Sequence, residues 1–209
     1  MPQTVGDRPS SPLPDDSALV ALVERARAGD GPAFTTLFER YQAPIFRYLE
    51  RLVSSADIGR DLTQDTFLAA WRALPGLREA QLFTPWLYRI ATNMARAHLR
   101  HARLIRWLPW AETETTSGPH LMLVDPEEQV GQAEWVRLAL AELPPKFRIC
   151  LLLQVEGGFS LREIARLLGM KEKSVSSALC RGRQQFRAAY LRLEHELSIS
   201  EQRQRGHGV

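Results

Sequence analysis

At 209 residues the chain has room for one ordinary domain or two small ones, and 44% hydrophobic with 24% charged residues is the balance of a folded, soluble protein. No run approaches the roughly eighteen apolar residues that a membrane span needs. Met1 to Asp16 lacks the basic-then-apolar order of a secretory leader, so a cytoplasmic location is expected. Net charge is only +3, but all except three of the 27 basic residues are arginine, the side chain whose planar fork grips phosphates and guanine edges.

Helical periodicity dominates, and no alternating strand pattern persists beyond a few residues, so an all-α fold is expected. After a polar tail over 1–16, a helix is predicted from Ser17 to Ala28, ending at Gly29-Asp30-Gly31-Pro32. The next covers Ala33 to Val53, with Pro44 kinking or splitting it. A third runs from Asp57 to Leu74 and stops at Pro75-Gly76. For the fourth, Thr84 is placed to cap and Pro85 suits the first helical position, with the helix continuing to Ile105.

Between Trp107 and Pro126 the periodicity disappears and Pro, Thr, Ser and Gly collect, which marks a linker between two small helical domains over 17–106 and 127–197. Helices are expected over Glu127–Leu143, Lys146–Glu156, Leu161–Leu168 and Glu172–Leu197, followed by a frayed polar tail over 198–209. Cys150 and Cys180 form no Cys-x-x-Cys, and no His cluster accompanies them, so neither a disulfide framework nor a structural metal is indicated.

Ser160-Leu161-Arg162-Glu163 has the form of a capping box and fixes a helix start. Counted from Leu161, Ala165 is fifth, Gly169 ninth and Val175 fifteenth, the helix-turn-helix arrangement of small contact residue, turn glycine and apolar lock. On the second helix, Val175, Leu179, Gly182, Phe186, Ala189 and Leu193 define a buried face. The remaining surface carries Lys173, Ser174, Ser176, Ser177, Cys180, Arg181, Arg183, Gln184 and Arg187, side chains suited to the major groove and to phosphates. A solvated face on a helical hairpin is the bland alternative, and the turn arithmetic favours duplex DNA.

In the first half, Arg89, Arg96, Arg100 and Arg103 fall within about 60° of one another on a helix, and no acidic residue intervenes from Trp86 to Arg106. Such a stripe repels itself, so an external polyanion is the economical partner. Trp86 and Asn93 lie on or beside it, able to stack on a base and read a base edge; Trp86 fits equally well in the core with Leu87, Ile90 and Met94. The preceding helix stacks Asp57, Asp61 and Asp65 at intervals of four, with Gln64 beside them. This is either a docking face for a basic protein surface or an acid-rich solvated one.

These residues resemble a known family. The run from Asp61-Leu62-Thr63-Gln64-Asp65 through Ala70-Trp71 to Phe83-Thr84-Pro85-Trp86 and Asn93 resembles region 2 of extracytoplasmic-function sigma factors of the sigma-70 family. Leu143-Pro144-Pro145-Lys146-Phe147-Arg148, followed by Glu156-Gly157-Gly158-Phe159-Ser160, Ala165 and Gly169, resembles their region 4. The resemblance implies that Asp57, Asp61, Gln64 and Asp65 dock on the clamp coiled coil of core RNA polymerase. It implies that the loop from Pro75 to Leu82 holds a flipped base of the promoter's minus ten element, while Trp86, Arg89, Asn93, Arg96, Arg100 and Arg103 bind that element's non-template strand. The helix-turn-helix would read the minus thirty-five element as duplex, and an anti-sigma factor would hold the protein inactive. Ala97, Ala178 and Arg181-Gly182 depart from the family's usual residues.

From Leu104 to Pro126 are 23 residues, reaching at most about 75 to 80 Å when extended. Promoter elements one and a half DNA turns apart are separated by on the order of 50 Å, so the span is feasible. By the same resemblance Trp107, Trp110, Glu112 and Glu114 thread towards the polymerase cleft. The competing reading is a helix-turn-helix regulator acting without polymerase. An enzyme is disfavoured, because the sequence has no phosphate-binding glycine loop, nucleophile elbow or metal-ligand constellation; no cofactor is expected.

Overall fold

The computed structural model describes the backbone over residues 16–105 and 132–206, and side chains over 17–101 and 135–195. The expected linker, with Trp107, Trp110, Glu112 and Glu114, lies outside the described residues. Within them the fold is all helical: α1 (Asp16–Arg27), α2 (Gly31–Val53), α3 (Ala56–Ala73), α4 (Phe83–Ile105), α5 (Gln132–Glu142), α6 (Pro145–Val155), α7 (Leu161–Leu168) and α8 (Glu172–Gly206).

In the first group, Asp30 caps α2 by accepting the Ala33 amide at 3.0 Å. That amide bond and the Arg25 guanidinium hold the Asp30 carboxyl below its usual range. Pro44 neither splits nor ends α2, which is helical throughout. Helix α3 crosses α2 closely at Gly59, where a Cβ would lie 3.0 Å from the Glu50 Cα. The core between α2, α3 and α4 is built on Leu37, Ile45, Tyr48, Leu49, Phe83 and Leu87. Tyr48 is wholly buried, its hydroxyl 2.8 Å from Thr92 Oγ1, and desolvation holds the phenol protonated well above its ordinary range.

Two expectations change here. Thr84 does not cap α4, because a 3-10 turn over Ala80–Leu82 runs directly into a helix beginning at Phe83. The Thr84 hydroxyl instead lies 2.7 Å from the Tyr41 hydroxyl on α2. The tail expected to fray after Leu197 continues as helix, with α8 ending at Gly206.

In the second group, α6 and α7 pack on α8. The capping box of α7 is complete: Ser160 N–H donates to Glu163 Oε2 at 2.8 Å, and Glu163 N–H donates to Ser160 Oγ at 3.4 Å. Gly169 ends α7 with φ +64°, and the Met170 amide turns back to the Ala165 carbonyl at 2.9 Å. Helices α6 and α8 approach closely at Gly182, where a Cβ would lie 3.0 Å from Leu151 Cδ1.

The two groups are in contact. Helix α2 packs on α5 and α6, and α4 on α7. The Tyr88 ring meets the Phe159 ring edge-on at 5.1 Å.

Candidate nucleic-acid and partner interfaces

The acidic residues of α3 are oriented by what the helix buries. Leu62, Thr63, Thr66, Phe67 and Ala70 face inward, and the two threonines satisfy their hydroxyls on the Gly59 and Leu62 carbonyls at 2.7 and 2.6 Å. Asp57, Asp61, Gln64 and Asp65 are therefore all exposed. Asp57 is not equivalent to the others, because Arg60 Nη1 lies 2.5 Å from its Oδ1. Among the described residues neither Asp61 nor Asp65 forms an ion pair.

Beside this face lies a groove that the sequence reading missed. It has a volume of about 710 Å³ and is lined by Phe34, Phe38, Phe46, Phe67, Leu68 and Trp71, with Arg60, Thr63 and Gln64 also in its wall. Phe34 and Trp71 rings are 4.7 Å apart, Phe38 and Phe67 rings 4.9 Å. Leu68 and Trp71 remain 47% and 39% exposed. At 100° per residue Leu68 shares the outer face of α3 with Asp61, Gln64 and Asp65. An apolar residue in the middle of an acidic face, four after Gln64, was the available signal.

On α4, Leu87, Tyr88, Ala91, Thr92 and Ala95 are buried, which turns Arg89, Asn93 and Arg100 outward. Arg96 is half-buried, and the Arg103 side chain lies outside the described residues. Among the described residues no carboxylate forms an ion pair with Arg89, Arg96 or Arg100. Trp86 packs against the core with its ring 5.8 Å from that of Phe83 and stays half-exposed. The loop before α4 is pinned: Leu77 and Ala80 are buried, and Arg27 Nη1 donates to the Leu77 carbonyl at 3.1 Å.

On α8, Val175, Ala178, Leu179, Gly182 and Ala189 are buried. Lys173, Ser174, Ser176, Ser177, Cys180, Arg181, Arg183, Gln184 and Arg187 are all exposed. Two of these are already engaged within the protein: Ser177 Oγ donates to the Lys173 carbonyl at 3.0 Å, and Arg183 Nη2 to Gln154 Oε1 at 2.7 Å. The second bond fixes Arg183 over α6 and, among the described residues, leaves Lys173, Arg181 and Arg187 as surface cations without such a tether. Among the described residues no group of three His, Cys, Asp or Glu is arranged to hold a metal ion. No described helix is long and apolar enough to cross a membrane.

Comparison with known proteins gives the following similarities. The family described as Sigma-70 region 2 matches residues 37–105, and that described as Sigma-70, region 4 matches residues 133–186. The ECF RNA polymerase sigma-E factor of Haemophilus influenzae is 33% identical over 172 residues, covering 78% of this chain and 90% of that protein. The RNA polymerase sigma-H factor of Pseudomonas aeruginosa is 34% identical over 171 residues, covering 78% and 89%. Two solved structures share the fold. CnrH, in complex with the cytosolic domain of CnrY, has a TM-score of 0.58 at 24% identity over 82% of this chain and 96% of that one. The sigma factor RpoE of Bartonella quintana, in complex with the anti-sigma factor NepR, has a TM-score of 0.62 at 19% identity over 75% and 95%.

Proposed function

Because this chain belongs to the sigma-70 family, in its extracytoplasmic-function group, we propose how its separate surfaces divide the work of starting transcription. The protein is a sigma factor that binds core RNA polymerase and directs promoter-specific initiation, recognising and melting promoter DNA. The polymerase supplies the chemistry, and no catalytic role is assigned to the chain itself. It works in the cytoplasm, where the polymerase and promoters are.

The outer face of α3 docks on the polymerase. Asp61 and Asp65 meet basic residues of the clamp coiled coil, with Asp57 and Gln64 at the edge, and the aromatic groove takes apolar side chains from the same partner. Burial of Leu68 and Trp71 gives the contact its affinity, while the carboxylates steer it. Helix α4 takes the non-template strand of the minus ten element through Arg89, Arg96, Arg100 and Arg103. Trp86 offers a stacking surface, Asn93 an amide for a base edge, and the pinned turn from Pro75 to Leu82 a wall for a flipped base. Capturing an unstacked base offsets the few kcal/mol that unstacking costs, so binding itself drives strand opening. The α8 arc of Lys173, Ser174, Ser176, Ser177, Arg181, Arg183, Gln184 and Arg187 reads the minus thirty-five duplex. An anti-sigma factor restrains the protein, as the RpoE–NepR complex illustrates for a protein of the same fold.

The observation that carries this reading is the state of the α4 arginines: Arg89, Arg96 and Arg100 follow one another along a single helix face with no carboxylate paired to them among the described residues. A polyanion completes such a surface, and a regulator reading duplex through α8 alone has no use for it. Pull-down with core polymerase tests the docking half. Wild type is retained, and Asp61→Lys with Asp65→Lys is lost while its thermal melt is unchanged; retention of the double variant refutes the assignment of that face.

A further inference from the structure

Helix α2 carries an arginine row of its own. Arg40, Arg47 and Arg51 follow one another at intervals of seven and four, the same spacing as Arg89, Arg96 and Arg100 on α4. At 100° per residue each trio spans about 40° of its helix. Arg51 is paired with Glu156. Arg40 and Arg47 are exposed, and among the described residues neither forms an ion pair, with Glu39 and Glu50 of the same helix or with any other carboxylate. The Arg40 guanidinium lies 6.0 Å from the Tyr41 ring centre.

The two rows face the same way. The Tyr41 hydroxyl meets that of Thr84, and the Tyr48 hydroxyl that of Thr92, so α2 and α4 run parallel with residues 43 or 44 apart in sequence side by side. Burial raises the Tyr88 pKa, and the charge of Arg47 across the seam opposes the rise. Burial likewise raises that of Tyr48, opposed by its bond to Thr92 and by the charge of Arg96. Each of these arginines therefore lies near a tyrosine of the other helix. Phe38, whose ring packs on Phe67 of α3, is about 160° round α2 from Arg40. The rows thus flank the seam on the side of the α2–α4 pair away from α3. Arg40, Arg47 and Arg89 stay exposed there with the Phe159 ring seated on Tyr88.

Two rows of like charge held side by side repel each other, and a polyanion relieves that repulsion. One strand of DNA needs only one such row. Packed helices lie about 8 to 10 Å apart, and a second row at that distance suits the second backbone of a duplex, across a minor groove about 6 Å wide. We infer that Arg40 and Arg47 of α2 bind phosphates of the template strand where the duplex closes beside the melted minus ten element. The α4 row follows the non-template strand to the same point, and the two helices together straddle the groove there. The inference rests on the reading of α4 as the ligand of the non-template strand. Holding both backbones where pairing ends fixes the edge of the melted segment.

The test compares two probes from one promoter, each bound by core polymerase carrying the full chain. One is the non-template strand alone; the other is a duplex unpaired over the minus ten element only. Arg40→Ala with Arg47→Ala leaves binding of the single strand unchanged. On the duplex probe it flattens the dependence of log affinity on log salt by about 1.8, from two contacts at about 0.9 each. Binding of that probe weakens roughly thirtyfold at low salt. Arg40→Lys with Arg47→Lys keeps both charges and restores most of the slope. An unchanged slope on the duplex probe, an equal loss on the single strand, or a lowered melting midpoint with no recovery by lysine each overturns the inference. Arg89→Ala with Arg100→Ala is the control, which weakens both probes if α4 holds the non-template strand. A control that weakens both, beside an α2 pair that weakens neither, sinks this inference alone. A control without effect on either probe sinks the reading of α4.

Discussion

Replacing Arg89 and Arg100 by alanine separates a nucleic-acid role for α4 from a structural one. Both side chains are exposed, and among the described residues neither is held in an ion pair. Removing them should therefore change folding stability by no more than about 0.5 kcal/mol each. They stand three helical turns apart, roughly 16 Å along the axis, so they meet different phosphates. For single-stranded DNA each lost phosphate contact flattens the dependence of log affinity on log salt by about 0.7, giving about 1.4 for the pair. At about 1 kcal/mol per exposed charge pair the affinity falls roughly thirtyfold at low salt, and the deficit shrinks as salt is added. Fluorescence anisotropy of a labelled non-template-strand oligonucleotide, titrated with polymerase carrying wild-type or double-variant protein across a salt series, reads the slope directly. An unchanged slope refutes the phosphate role, and a melting temperature lowered by many degrees refutes the claim that these arginines are free of the fold.

Three further substitutions probe the frame that positions these surfaces. Gly59→Ala drives a Cβ onto the α2 backbone at Glu50; overpacking of about 1 to 3 kcal/mol outweighs the helix-propensity gain of about 1 kcal/mol, so thermal melting should show a lowered midpoint. Ser160→Ala removes half of the α7 capping box and costs about 1 kcal/mol, seen as reduced thermal stability that Ser160→Asp largely recovers. Tyr48→Phe removes the bond to Thr92, whose hydroxyl still donates to the Tyr88 carbonyl at 2.7 Å, at a cost of about 1 kcal/mol near neutral pH. The pH dependence then has a definite sign. Burial raises the Tyr48 pKa above the ordinary phenol value of 10.0, so above that pH the unfolded chain releases a proton that the folded chain retains. Wild-type stability falls there, and chemical denaturation should show a shallower alkaline decline for the phenylalanine variant.

What the sequence made legible was what is decided within a turn or two of helix. The capping box at Ser160, the left-handed Gly169 and the buried spacing of Val175, Leu179 and Gly182 depend on neighbours three or four residues away, and each stands where the spacing put it. The outward placement of Arg89, Asn93 and Arg100 followed from the same periodicity. The features that escaped have distant causes. The Thr84 hydroxyl meets that of Tyr41, forty-three residues earlier in the chain. Arg183 is tied to Gln154 on another helix. The aromatic groove joins side chains of α2 and α3 whose convergence depends on the close crossing at Gly59. Arg148 closes the Leu143–Arg148 motif, but its bonds to Leu52 and Ser54 span more than ninety residues, and local pattern says nothing about them.

The most direct measurement is to sequence the 5′ ends of transcripts made in vitro from a genomic library by core RNA polymerase, free of any other initiation factor, with and without this protein. The account predicts a set of discrete start sites that appear only with the protein, share two upstream elements at fixed separation, and vanish when Asp61→Lys and Asp65→Lys are combined. Starts that are the same with and without the protein would contradict it.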